Sequence, residues 1–202
     1  MPILVLRIAA FLACADPGIE LGWRTWQGNL GVNPVETLLH TTGRTALAIL
    51  IVTLAITPIR RLTGWNRIQR IRRMVGNWSF FYALAHFLIY AVFNHLGDVQ
   101  AIWADIAERP FILSGMFAFS ILAVLAATSP TFMVRALGRR WQTLHRLVYV
   151  AAGAGVLHFA WGQKADIREP LVWGAVVGLL LVSRLAWRRR RTVPVGREVR
   201  SS

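Results

Sequence analysis

Long stretches almost free of charge constrain this chain more than anything else in it. Thr37 to Thr57, Asn77 to Leu96, Phe111 to Ser129, Trp141 to Trp161 and Leu171 to Trp187 are each at or near the roughly 20 residues that a helix needs to cross a bilayer. A sixth stretch, Pro2 to Ala15, is shorter, and Asp16, Pro17 and Gly18 after it are expected to interrupt a helix. It spans only if it continues through that break to about Trp26. A signal peptide is the rival reading, because Ala13-Cys14-Ala15 resembles a cleavage site, but the charged start before the apolar run is missing. The expectation is an all-α integral membrane bundle of six transmembrane helices, over residues 2–26, 37–57, 77–96, 111–129, 141–161 and 171–187 of one 202-residue domain.

The links between these runs alternate in charge. Arg60, Arg61, Arg67, Arg70, Arg72 and Arg73 follow the second run, Arg135, Arg139 and Arg140 follow the fourth, and Arg188 to Arg191 follow the sixth. By the positive-inside rule these links are cytoplasmic. The others carry Glu36, then Asp98, Asp105 and Glu108 against Arg109, then Asp166 and Glu169 against Lys164 and Arg168, and belong outside. Both termini then lie in the cytoplasm, which requires an even number of spans. Trp78, Trp141, Trp161, Trp173 and Trp187 fall at the proposed span ends, where indole prefers to sit.

Composition excludes two classes. A net charge of +14 would suit nucleic acid, but these arginines cluster between apolar runs instead of spreading over a folded surface, so no nucleic-acid partner is expected. A single cysteine, Cys14, rules out an internal disulfide and any cysteine-built cluster within one chain. A metal here must rely on histidine or oxygen.

Ionisable side chains inside a bilayer are costly, so each is a functional candidate. Arg146 and Arg184 lie near the cytoplasmic ends of their spans, where they can snorkel. His95, beside Gly97, is expected to be solvated, and His40 is one turn inside the outer boundary. Arg44, about two turns into its span, needs an anionic partner, either Glu36 or a bound anion such as a cofactor propionate.

His86, His145 and His158 remain. Imidazole ligation of haem iron needs only histidine, an apolar slot and small residues beside it, and Ala151 to Val156 supplies small residues. The same residues equally suit close helix packing. On one helix the thirteen residues from His145 to His158 rise about 20 Å and turn the second ring about 140° from the first, so one haem does not take both. His86 lies at a depth between the two, and either is a candidate partner for it.

The stretch from Gly138 to Trp161, of pattern GKRWQxLHxxVYxxxxxxxxHxxW with arginine at 139, joins several others in order along the chain. They are LGxxPVxxxxHxTGRxAL from Leu30 to Leu47, Thr57-Pro58, RRxxG from Arg72 to Gly76, and Leu84 to His86. Together they resemble the ferric-reductase-like transmembrane proteins, specifically the haem-binding membrane subunits of bacterial periplasmic methionine sulfoxide reductase systems. The resemblance covers about residues 28 to 187. It implies haem b and flavin mononucleotide (FMN) as cofactors, with haem held between the third and fifth spans. It also implies electrons arriving from the quinone pool or a flavin reductase and leaving to MsrP, a periplasmic molybdopterin reductase that repairs oxidised proteins. His86, His145 and His158 match family histidines implicated in haem binding. For the flavin phosphate, the cytoplasmic guanidinium groups of Arg72 and Arg73 are the residues to examine. Other readings are a b-type subunit for a different reductase or dehydrogenase, and a small non-redox transporter or scaffold.

Overall fold

A computed structural model describes residues 2–163 and 166–190; Lys164, Arg191 and the tail after it lie outside the described residues, as do the side chains of Leu185 and of Trp187 to Arg190. Every regular element among the described residues is helical. The helices are α1 (Ile3–Trp26), α2 (Pro34–Thr63), α3 (Arg72–Ile89), α4 (Val99–Glu108), α5 (Pro110–Ala127), α6 (Thr131–Leu137), α7 (Arg139–Leu144), α8 (Val148–Gly162) and α9 (Arg168–Arg190). A wider π turn, Tyr90–Asn94, extends α3, and tight 3-10 turns cover Asn66–Arg70 and His145–Leu147. By length and composition, α2, Arg72–Asn94 and α5 are long and apolar enough to cross a membrane.

Two expected boundaries move, for related reasons. Asp16-Pro17-Gly18 does not interrupt α1, which runs unbroken for 24 residues. Proline removes the bond to the carbonyl four residues back and loosens that turn. Here the Tyr82 hydroxyl of α3 enters the loosened turn and donates to the Cys14 carbonyl at 2.8 Å. Gly18 makes room for it, since a Cβ there would sit 2.9 Å from the Tyr82 oxygen. Likewise α2 continues past Thr57 through Pro58 to Thr63. Pro58 frees the carbonyl of Leu54, a fully buried residue, and Arg184 of α9 donates to it at 2.7 Å. Arg184 therefore faces into the bundle and does not snorkel.

The fifth expected span is not one helix. Gly138, at φ +50°, opens α7, and the turn His145–Leu147 separates α7 from α8. At that turn the His145 ring stacks on Trp141, with centroids 3.8 Å apart, and its Nδ1–H donates to the Trp141 carbonyl at 3.2 Å. Trp141 in turn donates to the Thr128 carbonyl at 2.9 Å, so its indole is tied to the end of α5.

The most extensive packing joins α2 to α3 and α5 to α8. Ser79 of α3, fully buried, donates to the Ala46 carbonyl of α2 at 2.8 Å, and Ser114 of α5 donates to the Ala154 carbonyl of α8 at 2.9 Å. Ala151 and Ala152 of α8 are fully buried against Leu50, Leu54 and Leu122, so these two small residues serve close helix packing. Across the middle, Phe119 of α5 stacks on Phe80 and Phe87 of α3. The result is two helix pairs joined by aromatic contacts, with an arginine-rich end and an end that carries the carboxylates.

Candidate functional site

His86 on α3 and His158 on α8 come together near the carboxylate end. Their ring centroids are 6.1 Å apart and their planes meet at 83°. Neither ring is free to turn. His86 Nδ1–H donates to the Leu39 carbonyl of α2 at 2.9 Å, and His158 Nδ1–H donates to the Phe111 carbonyl of α5 at 2.7 Å. A carbonyl only accepts, so each ring must carry its proton on Nδ1, which leaves each Nε2 with a bare lone pair. This is the arrangement that metal-binding histidines adopt, with the far nitrogen bonded to backbone and the near one left for the metal.

Two glycines set how closely these rings approach their supporting helices. A Cβ at Gly43 of α2 would lie 3.0 Å from His86 Nδ1. One at Gly115 of α5 would lie 2.6 Å from His158 Nδ1 and 2.9 Å from Cε1, closer than side-chain atoms tolerate. Phe111 stacks on His158 at 5.9 Å between centroids. Gly43, Gly115 and the two carbonyls escape sequence reasoning, because nothing local marks a glycine as facing a histidine on another helix.

An iron bound by two imidazole nitrogens at about 2 Å each, with each ring centre a little over an ångström behind its nitrogen, puts the centroids roughly 6 Å apart. The residues present fit that demand: two proton-free nitrogens, rings fixed by backbone, and apolar and aromatic neighbours.

His145 is not part of this pair. It lies toward the arginine-rich end and lines a cavity of about 470 Å³ together with Arg70, Arg72, Arg73, Arg146 and Tyr149. Its Nε2 is buried without a partner, as is Gln69 Oε1 on the same wall. Arg73 donates to the Ser129 carbonyl at 3.2 Å. This cavity therefore gathers several cations, aromatic surface and a histidine whose Nε2 is unpartnered.

The remaining candidates are placed plainly. Arg44 pairs with Glu169 of α9 at 2.7 Å and not with Glu36, and its guanidinium lies 5.9 Å from the Phe159 ring, beside His158. Glu36 instead faces His40 at 3.4 Å, in a pair half open to solvent. His95 is not solvated: its side chain is 16% exposed and its Nε2 lies 3.2 Å from Asp105. Asp105 also accepts from Tyr90 at 2.6 Å and from Arg109 at 2.8 Å. Arg146 is exposed.

Residues 42–156 match the family described as ferric reductase like transmembrane component. Among curated proteins, the chain is 48% identical to the protein-methionine-sulfoxide reductase heme-binding subunit MsrQ of Rhodospirillum rubrum, over 92% of this chain and 91% of that one. It is 44% identical to the protein of the same name from Herminiimonas arsenicoxydans, over 91% of this chain and 85% of the relative. For the one from Bordetella pertussis the figures are 45% identity and 89% of each chain. No solved structure matches.

Proposed function

The chain belongs to the ferric-reductase-like transmembrane family, and from that membership we propose that it is a haem b electron-transfer subunit of a methionine sulfoxide reductase system. Electrons from the quinone pool or a cytoplasmic flavin reductase pass through it to the periplasmic molybdopterin reductase MsrP, where the sulfoxide is reduced. The chain sits in the bacterial inner membrane with six spans, the fifth composed of α7, the 3-10 turn and α8. Its arginine-rich end and both termini are cytoplasmic.

One observation carries this reading: the 6.1 Å spacing of His86 and His158, each with Nδ1 bonded to a backbone carbonyl. These two side chains hold the haem between the third and fifth spans. Haem supplies, when bound, a one-electron ferric–ferrous couple. The protein's part is to fix both rings, so that neither ligand reorients as the charge on the iron changes, and to keep water away with Phe111 and the packed helices. Arg44 lies on the same side of the bundle and can serve a propionate by exchanging Glu169 for it, since guanidinium matches carboxylate in either case.

The cavity at the arginine-rich end is the second cofactor site. Arg72 and Arg73 bind the phosphate of FMN there through charge-assisted hydrogen bonds. His145 offers the same cavity its open Nε2, as a ligand to a second haem iron or as an acceptor for the flavin, and haem stoichiometry decides between these.

A visible spectrum of the purified chain tests the central claim. The expected result is a Soret band and, after dithionite, split α and β bands that collapse on mixing with the oxidised periplasmic reductase. Absence of a Soret band in protein purified from haem-replete cells overturns it.

A further inference from the structure

Among the described residues, the arginine-rich links at one end of the bundle carry no carboxylate of their own. Residues 37–97, 109–165 and 170–197 contain neither Asp nor Glu. Within that end Arg184 is turned inward, donating to the Leu54 carbonyl at 2.7 Å and to the Tyr149 hydroxyl, with its guanidinium carbon 4.9 Å from the centre of the Tyr149 ring. Its Nε is buried and has no partner. On α9 the one carboxylate, Glu169, is some 22 Å away along the helix and is bonded to Arg44. Arg184 thus has hydrogen-bond acceptors on two sides and, among the described residues, no paired counter-charge.

The sense of the Arg184–Tyr149 bond is fixed, because a guanidinium only donates. The Tyr149 oxygen therefore accepts, which leaves its own O–H to donate elsewhere. Tyr149 lines the cavity four residues after His145, together with Arg72 and Arg73. A fixed cation behind the phenol strengthens it as a donor.

We propose that Arg184 is a positioning residue for an anionic redox group in this cavity. It fixes Tyr149 as a hydrogen-bond donor to that group, and its unbalanced charge favours the group's reduced state. The proposal rests on the cavity being the second cofactor site. The chemistry required of the group is a flat ring bearing an acidic substituent, phosphate or carboxylate, which flavin mononucleotide and a propionate-bearing haem both supply. Reduction would add an electron to the group, at the ring of a flavin or at the iron of a haem, and the nearby cation would lower the energy of that added charge.

The test is an equilibrium redox titration of the full purified chain, followed separately at flavin and haem bands, for wild type, Arg184→Met, Arg184→Lys and Tyr149→Phe. At a fixed potential within the transition, the reduced-to-oxidised ratio of the cavity group should fall about tenfold in Arg184→Met, as expected for one charge at about 10 Å through an effective dielectric of about 20. Arg184→Lys keeps the charge and should shift the ratio far less, with Tyr149→Phe between the two. The group held by His86 should be unmoved in all of them. The band that shifts distinguishes flavin from haem. Superposition of Arg184→Met and Tyr149→Phe on wild type overturns the proposal. If Arg184→Met does not fold, Tyr149→Phe decides alone, because it leaves the bond to Leu54 in place. A wild-type chain with a single titrating group, lost in His86→Ala, overturns the second cofactor site and this proposal with it.

Discussion

The two ends of the bundle treat histidine in opposite ways. Near the carboxylate end, His86 and His158 approach from different helices, and each spends its Nδ1–H on the backbone of a third element, α2 or α5. Near the arginine-rich end, His145 bonds a carbonyl of its own turn, stacks on Trp141 and leaves a buried Nε2 without a partner beside a cavity wide enough for a cofactor. The first arrangement is closed and rigid, suited to holding one metal from both sides. The second is open on one face and lined with cations, suited to a larger anionic guest. An imidazole does not determine its own role; the partner of its other nitrogen and the room around it do.

The comparison is most readily broken by removing ligands. His86→Ala should lose the low-spin haem of the closed pair, while His145→Ala should retain it; Soret absorbance per mole of protein with pyridine haemochrome quantification reads both. Full haem occupancy in His86→Ala ends the assignment. A smaller but still large effect is expected of Gly115→Ala, whose new methyl meets the His158 ring at 2.6 Å. Crowding of this kind costs about 1–3 kcal/mol, or roughly five- to 150-fold in haem retention. Gly43→Ala, at 3.0 Å, should be milder. Haem-transfer kinetics to apomyoglobin would rank the two.

The open end is probed by Arg72→Gln and Arg73→Gln. Each should weaken FMN binding by about tenfold, the scale of one charged hydrogen bond, with the Soret band unchanged; flavin fluorescence quenching on titration measures it. Ser79→Ala removes the buried bond to the Ala46 carbonyl between the ends and should lower stability by about 1 kcal/mol without altering the spectrum, read by thermal unfolding. Smallest of all, His40→Gln breaks a half-exposed pair with Glu36 and should change stability by about 0.5 kcal/mol or less.

Much of the architecture is legible in the sequence because the bilayer imposes it. Hydropathy locates α5 to within two residues and α2 and α3 to within about six, and the arginine-rich links sort to one end. What is not legible comes from contacts between distant residues. Pro17 and Pro58 carry the local signal to stop a helix, and both helices continue because Tyr82 and Arg184, 65 and 126 positions later in the chain, serve the loosened turns. The histidines were identifiable as candidates by type and depth. The pairing of His86 with His158 was not, since the uncertainty in span boundaries equals the depth difference that separates the alternatives. Arg44 pairs with a carboxylate other than the nearby Glu36, because its partner Glu169 lies 125 positions away.

Pro58 has one more consequence, for the order in which the molecule is completed. In lipid a bare carbonyl has no water to turn to, and the partner of the Leu54 carbonyl resides on the last described helix of the chain. A nascent chain that has emerged only as far as α8 therefore holds an α2 with an unanswered polar group at its core. The second helix is finished by the ninth, so a truncation ahead of Arg184 should send the protein to membrane quality control even with every histidine in place.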